Sequence, residues 1–530
     1  MPAGRSKHRP PTPRNSRTKE SSSLFHRHPL ALALCLTILL FALSFTPRVH
    51  ATPILSQSFL GAVMALLAWQ GILRLNQNRR QQTALLETNL RPQHYVQALV
   101  QLSVFAYWGW YWRPVYDHST LLLAQVVFAY IFDMLLTWSR RERYVLGFGP
   151  FPIIFSTNLF LWFRDDWFYL QFLMIAVGFL GKEFVRWNRE GRRVHIFNPS
   201  AFSLGLFSLV LLTTGMTPIT WGEEIATTLT LAPSIYLFLF LAGLVVMYVF
   251  SITLVAASAA AVLFGLSALY TTTTGVPYFI DSEIPTAVFL GLHLLVTDPS
   301  TSPRTPIGKT VFGILYGATV FGLYAVLGGL GVPTFYDKLL SVPLLNLSVQ
   351  AIDRLVQALS TRSIFDRFAI ALARPSANLT HIAVWIIFFT MMALAGAADG
   401  RHRGDPVPFW EDACKNGRRQ ACERLLQIEA SYCADASAWA CNELGLRYRN
   451  GQVVEPDREL ALGYFSRACE LRFQAACLNI LESENRYRAD PKLLDFRLLL
   501  REGGANLMDM TEPAIYARAC DHDWTFACRR

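Results

Sequence analysis

Two short stretches carry residue types able to hold a ligand inside an otherwise apolar chain. The first is His195-Ile196-Phe197-Asn198-Pro199-Ser200-Ala201-Phe202, the second Leu295-Val296-Thr297-Asp298-Pro299-Ser300-Thr301-Ser302-Pro303. In each, Asn or Asp stands directly before Pro. The side-chain oxygen of Asn or Asp accepts a hydrogen bond from the second or third N–H of a helix. Pro suits the first helical position, because it has no N–H to leave unsatisfied. Asn198-Pro199 and Asp298-Pro299 therefore both read as helix starts at the inner face. A helix start in low dielectric presents N–H groups and a positive dipole end, which favours anions and phosphates. Two such starts in corresponding halves of a membrane protein point to a shared internal site. The competing reading, that both simply cap helices, carries equal weight on the residues alone.

The elements that must position these motifs are apolar. Hydrophobic residues make up 52% of the 530-residue chain and charged residues 16%, with a mean hydropathy of +0.30; a soluble domain carries roughly 25% charged residues. The deficit is concentrated between Pro29 and Gly400, where apolar runs approach the roughly 20 residues needed to span a bilayer. The pattern predicts an all-α, polytopic membrane protein of about thirteen transmembrane helices. They fall near 29–47, 53–75, 95–113, 119–138, 148–163, 166–186, 197–213, 231–250, 252–270, 284–297, 307–331, 338–356 and 379–398. The stretch 231–270 is too long for one span and is divided at Phe250-Ser251-Ile252-Thr253. The tail, 401–530, has ordinary charge and no spanning run.

The net charge of +10 is distributed as a membrane protein distributes it. Arg5, Lys7, Arg9, Arg14, Arg17, Lys19 and Arg27 crowd residues 1–28, and further clusters occupy 74–92, 139–145, 186–195, 298–309 and 354–374. Lys and Arg in short loops face the cytoplasm. With the N-terminus inside, every one of these loops falls inside and the tail falls outside. No basic stripe lies on a soluble domain, which argues against nucleic acid as a partner. Val49-His50-Ala51 offers a rival reading of the first span as a cleaved signal peptide; cleavage leaves every later helix oriented as before.

Cys35 lies in the first span, where packing is its expected role. The other eight cysteines are in the tail: Cys414 with Cys422, Cys433 with Cys441, Cys469 with Cys477, and Cys520 with Cys528, each pair spaced by eight. Eight residues along one helix cover about 12 Å, whereas a disulfide needs Cα atoms roughly 4.4–6.8 Å apart. Each pair, if bonded, must straddle the turn of an αα-hairpin. Disulfides persist in the periplasm, in agreement with the topology. Zinc ligands and free thiols are the alternatives, but zinc pairs are usually closer, as in C-x2-C.

Two resemblances add to this reading. Phe197-Asn198-Pro199, the run Thr297 to Pro303, the following Gly308-Lys309-Thr310-Val311-Phe312-Gly313, Leu345-Asn346 and Ile352-Asp353-Arg354 resemble, in order and separation, the NqrB/RnfD family. That family supplies membrane subunits to the Na+-translocating NADH:quinone oxidoreductase and to the Rnf electron-transport complex. Lys182 also has a family counterpart. The resemblance covers roughly 90–357 and implies a ten-helix core at 93–357, with extra helices at 29–92 and a cytoplasmic segment and last span at 358–400. It further implies flavin, electron transfer in or across the membrane, and partner subunits that supply electrons. The best-known members attach FMN to a threonine in S-G-A-T in the outer loop after the F-N-P helix. Here that loop reads Trp221-Gly222-Glu223-Glu224-Ile225-Ala226-Thr227-Thr228-Leu229, so only Ala226-Thr227 corresponds. Tyr316-Gly317-Ala318-Thr319 is nearer in letters but lies inside a span. The implied cofactor-binding residues are Asn198, Pro199, Asp298, Pro299, Lys182 and Thr227.

In the tail, Asn442-Glu443-Leu444-Gly445, Tyr448, Gly451, Val454, Asp457, Ala461, Tyr464-Phe465 and Ala468 resemble one Sel-1-like, tetratricopeptide-like repeat at about 439–470. The likeness is to the cysteine-rich bacterial kind, in which each repeat carries such a disulfide. It implies a C-terminal α-helical repeat domain and a surface for proteins or cell-wall components, without implying catalysis.

Other residues point less sharply. Asp133 is mid-span, suited to an ion path or to a buried hydroxyl partner. The run Tyr107-Trp108-Gly109-Trp110-Tyr111-Trp112 reads as an interfacial aromatic belt. His195, His293 and His381 form no spaced haem pair, no metal set stands out, and Glu223-Glu224 suits either a cation-attracting mouth or a solvated loop. No Ser-His-Asp, Walker or dinucleotide motif occurs, so NADH would bind another subunit. The expected function is a flavin-dependent electron-transport subunit, with an ion-translocating role open. A transporter without a redox cofactor and a membrane-anchored scaffold are the alternatives.

Overall fold

The computed structural model describes residues 29–80, 84–189, 191–279, 284–296, 298–360, 377–398, 407–434, 436–471 and 473–483. The basic residues 1–28 and the chain after 483 lie outside them. The helices of seven residues or more are α1 Pro29–Leu43, α2 Pro53–Arg80, α3 Pro92–Tyr111, α4 Ser119–Arg140, α5 Pro150–Asn158, α6 Tyr169–Phe184, α7 Pro199–Thr214, α8 Gly222–Thr228, α9 Ile235–Phe250 and α10 Thr253–Thr274. They continue with α11 Thr286–Leu294, α12 Pro306–Gly329, α13 Asp337–Ser360, α14 Ala377–Leu394, α15 Val407–Lys415, α16 Arg419–Ala434, α17 Ala438–Asn450, α18 Arg458–Glu470 and α19 Gln474–Ser483.

Among the described residues six helices are long and apolar enough to cross a membrane: α2, α4, α10, α12, α13 with the turn before it, and α14. The bent pair α8 and α9, at 103° to each other, makes up to a seventh. The apolar stretch 231–270 does break where its length requires, at Ser251, whose φ is +53°. Two expected spans hold much shorter helices. Both α5 and α11 have nine residues, about 14 Å of helix, and every residue of α11 is buried. The apolar run after α5, Leu159–Phe163, is buried non-helical chain. Hydropathy registers burial in either form, so it overstates the helix there.

Among the described residues four short strands interrupt the all-α expectation, all in charged loops. β1 (Leu85–Thr88) pairs in parallel with β2 (Arg143–Leu146), and β3 (Arg186–Arg189) pairs antiparallel with β4 (Arg192–His195). Gly191, at φ +76°, turns the second pair.

Packing divides the chain into two units. The first draws on the chain up to Tyr95, His118–Ile154 and Asp165–Ala176. In it, Arg48 grips Asp165 with two bonds of 2.7 Å. Gln70 donates to Thr37 at 2.7 Å, and Trp69 to Ser139 at 3.0 Å. Asp133 accepts from the Tyr144 hydroxyl at 3.2 Å, the hydroxyl-partner reading of that acid. Cys35 is exposed on α1 and not packed.

The second unit draws on Val96–Asp117, Phe155–Arg164 and the chain from Val177. In it α10 and α12 pack closely. Gly313 and Gly317, one turn apart, meet α10 where Ala256, Ala259 and Ala260 are buried. A Cβ at Gly313 would stand 2.2 Å from the Val255 carbonyl oxygen, and one at Gly317 2.7 Å from that of Ala259. Without a hydrophobic drive between helices in lipid, such small-residue contact is what holds spans together.

In the tail, disulfides join Cys414–Cys422, Cys433–Cys441 and Cys469–Cys477, with Cα separations of 4.6, 4.6 and 4.9 Å. Each bridges one helix to the next across a turn, as the spacing of eight demands. The fourth expected disulfide, between Cys520 and Cys528, falls outside the described residues. So do the helices that it would join, and the repeat register is visible only as far as α19. A buried Arg447–Glu429 ion pair ties α17 to α16.

Gly313→Val places branched carbons against backbone that has no room to yield. Loss of about 2 kcal/mol or more is expected, read as a lower unfolding midpoint in detergent. An unchanged midpoint would show that α10 and α12 do not depend on this contact.

Candidate functional site

The two proline motifs, about a hundred residues apart in sequence, meet. Asn198 caps α7 as its type predicts: its Oδ1 accepts from Ser200 N at 3.1 Å, Ser200 Oγ at 2.8 Å and Ala201 N at 3.4 Å, with Pro199 in the first turn. Its Nδ2 donates to the Leu295 carbonyl at 3.2 Å, just beyond the end of α11. Asn346 of α13 closes the arrangement. Its Oδ1 accepts from Asn198 N at 3.1 Å, and its Nδ2 donates to Thr301 O at 3.2 Å. One asparagine thus joins both motifs.

The second motif is not a helix start. Asp298 Oδ1 accepts from Ser300 N at 2.9 Å and Ser300 Oγ at 2.6 Å, closing a turn that includes Pro299. α12 begins eight residues later at Pro306. Thr305 caps it by accepting from Gly308 N at 3.0 Å. Thr305-Pro306 carries the same cap-then-proline signal in the sequence. Pro303 explains the delay, since the residue before a proline is pushed away from helical geometry.

Around this turn the charges are paired. His195 Nε2 lies 2.9 Å from Ser300 Oγ and 3.9 Å from Asp298 Oδ2. Burial disfavours the Asp298 charge, but the hydrogen bonds and charge of His195 and the bonds from Ser300 outweigh it, holding the carboxyl below its usual value. Arg189, from β3, donates to Asp353 of α13 at 2.5 Å and to Ser302 O at 3.1 Å. His195, Ser300 and Asp298 are adjacent, but the serine contacts both others directly. The imidazole does not stand between serine and carboxylate as in a hydrolytic triad.

No family model matches the chain, and neither a curated protein nor a solved structure does.

Of the remaining expected residues, Lys182 sits on α6 with its ammonium 5.4 Å from the Phe179 ring. Its neighbour Gly181 faces Phe202 so closely that a Cβ would come within 2.5 Å, which sets α6 against the start of α7. Thr227 is elsewhere. α7 has 16 residues, about 24 Å, and Thr227 follows its far end on α8. It is exposed, with its hydroxyl bonded back to Glu223 O at 3.0 Å. There Arg164 pairs with Glu224 at 2.5 Å and lies 4.5 Å from the Trp221 ring.

The aromatic run at 107–112 is not only a lipid-facing belt. Trp108 is fully buried. Trp108, Trp112 and Trp162 stand 5.1–5.7 Å apart, with Trp221 6.1 Å from Trp112. Only Trp110 of the run's tryptophans is fully turned outward.

Sequence reasoning missed two features. Asp337 and Lys338, adjacent in sequence, form a buried ion pair at 3.1 Å. Gln101, also fully buried, donates to Ser156 Oγ at 2.7 Å, and Ser156 donates to Leu294 O at 3.4 Å. The glutamine at least carried a signal, being a polar residue near the middle of an apolar span.

Because the folded-state pKa of Asp298 lies below its unfolded value, its charge contributes stability above the ordinary carboxylate range of about 3.9. That contribution is lost as pH falls through the lowered value. Asp298→Asn is therefore expected to be less stable than the parent near pH 7, with the gap closing in strong acid. Urea unfolding in detergent across pH checks this, and a gap independent of pH would refute it.

Proposed function

We propose that the chain is a multi-pass inner-membrane subunit of a flavin-dependent electron-transport complex of the NqrB/RnfD kind. On this reading its roughly thirteen apolar segments lie in the membrane, two of them as the short helices α5 and α11, with a cytoplasmic N-terminus and a periplasmic repeat domain. One observation carries the reading. The positions that resemble the family (Asn198, Asp298, Asn346 and Asp353) come together in one bonded cluster although they lie far apart in sequence.

The cluster's polar atoms are spent on one another, so it fits a brace better than a flavin cradle. The outer loop fits a flavin better. Thr227 offers an exposed hydroxyl for a phosphoester, Arg164 a cation for the phosphate, and Trp221 an aromatic face for the ring. Bound flavin would supply one- and two-electron transfer there. Glu223 and Glu224 oppose the phosphate, so Arg164 must exchange Glu224 for it. Asn198, Asp298 and Lys182 then act by positioning α7 and the loop before α12. Other electron-transport subunits supply the donor, and proteins or cell-wall components are the partners proposed for the tail.

A transporter without flavin is the second reading. The nine-residue helices α5 and α11 favour it, as do the buried, unpaired Gln101 Oε1 and Tyr316 hydroxyl beside α11. Transporters commonly place substrate where broken helices end near mid-membrane.

The protein purified in mild detergent is expected to show flavin absorbance. After denaturation and precipitation, colour staying with the polypeptide and lost in Thr227→Ala places the attachment at Thr227. Colour released into solution means non-covalent flavin. A colourless protein, with losses during purification checked, overturns the flavin reading and leaves the transporter without flavin and the membrane-anchored scaffold.

A further inference from the structure

The tail is fastened to the ends of two spans, and among the described residues the fastening contacts lie on one hairpin, α15–α16. Trp410, fully buried, packs with Val276, Ala421 and Leu425. Arg424 donates to Tyr278 O at 3.0 Å, with its guanidinium 5.6 Å from the Tyr278 ring and 4.9 Å from that of Tyr324. Gln427 accepts from Arg424 at 2.8 Å and donates to Gly328 O at 3.0 Å. Arg418, in the turn, donates to Gly275 O. Tyr278 follows α10, while Tyr324 and Gly328 end α12.

The Cys414–Cys422 disulfide closes this same hairpin, and Cys414 packs against the Trp410 cluster. α15 has only nine residues, and a helix that short is marginal without tertiary support. The cross-link to α16 therefore sets where Trp410 stands relative to Arg424. The disulfides also differ in access. Cys433 and Cys441 are 2% and 0% exposed. Cys414 and Cys422 are half-buried beside the exposed turn 415–418, and Cys469 and Cys477 are half-buried too. Thiol–disulfide exchange needs direct approach of a thiolate to sulfur, so access sets both pairs apart from Cys433–Cys441, and of the two only Cys414–Cys422 closes the docked hairpin.

We propose that Cys414–Cys422 is a redox latch, opened by a dithiol on the outer side of the membrane, whose opening frees the α15–α16 hairpin from the ends of α10 and α12. One thiolate of the dithiol attacks a cysteine sulfur and displaces the other cysteine as thiolate. Its second thiol then resolves the mixed disulfide. The S–S bond takes up two electrons and two protons to become two thiols, and the dithiol leaves as its own disulfide. The proposal rests on the reading that the tail lies on the oxidising side.

The full-length protein in detergent is treated with graded dithiothreitol and alkylated, and the modified cysteines are located by peptide mass spectrometry. Hydrogen exchange is followed in parallel. Cys414–Cys422 should open at a concentration that leaves Cys433–Cys441 intact. Exchange across 407–434 should then rise roughly tenfold or more, with 438–450 unchanged. Arg424→Ala, with its disulfide intact, supplies the undocked reference and should show the same rise. The latch is overturned if Cys414–Cys422 opens without that rise, or opens only together with Cys433–Cys441. Alkylation of Cys414, Cys422, Cys433, Cys441, Cys469 and Cys477 before any reductant is added would instead overturn the placement of the tail on the oxidising side, and the latch with it.

Discussion

A helix that ends in buried surroundings leaves carbonyls that have no water to turn to, and each one unsatisfied costs several kcal/mol. The ending of α11 is the point on which the rest of the second unit depends. Leu294 O is met by Ser156 and Leu295 O by Asn198. Asn198 can reach Leu295 only because its own oxygen is fixed as the cap of α7, and Asn346 holds its backbone from α13. Three helices are thereby indexed to one interrupted helix. The charged layer beyond it, Arg189 with Asp353 and His195 with Ser300, closes the chain around the turn at Asp298.

What the sequence disclosed follows from how local each cause is. Asn198-Pro199 was readable as a cap because capping is decided within three residues. The cysteine hairpins were readable because a spacing of eight admits one geometry. Asp298-Pro299 misled, since the same local rule applied to it and only the proline at 303 postponed the helix. The short α5 and α11 were hidden, because the chain leaving α5 is as apolar and as buried as the helix itself. Asn346, Asp353 and Arg189 take their roles from partners over a hundred residues away, and no periodicity records such pairing. The tryptophans at 108 and 112 obeyed the composition of an interfacial belt while packing inward against Trp162.

The brace and the outer loop make different demands on chemistry. Near Asp298 the donors and acceptors are matched, which suits a rigid reference point. Near Thr227 the hydroxyl is exposed, and the nearby cation and aromatic faces can be re-paired by a ligand. Rigidity at one end of α7 and accessibility at the other are compatible because a single helix separates them.

The equal spacing of the cysteines bears on how the tail is made. Each of the three described bridges joins a cysteine to its nearest neighbour along the chain, so none needs residues that have yet to be synthesised. Each hairpin can be oxidised as soon as its second helix emerges, in the order of translation, and no long-range bond must be broken and remade. A tail assembled in this way can gain or lose a hairpin between related chains without disturbing the bridges of the others. Duplication of one unit carries its own cross-link with it.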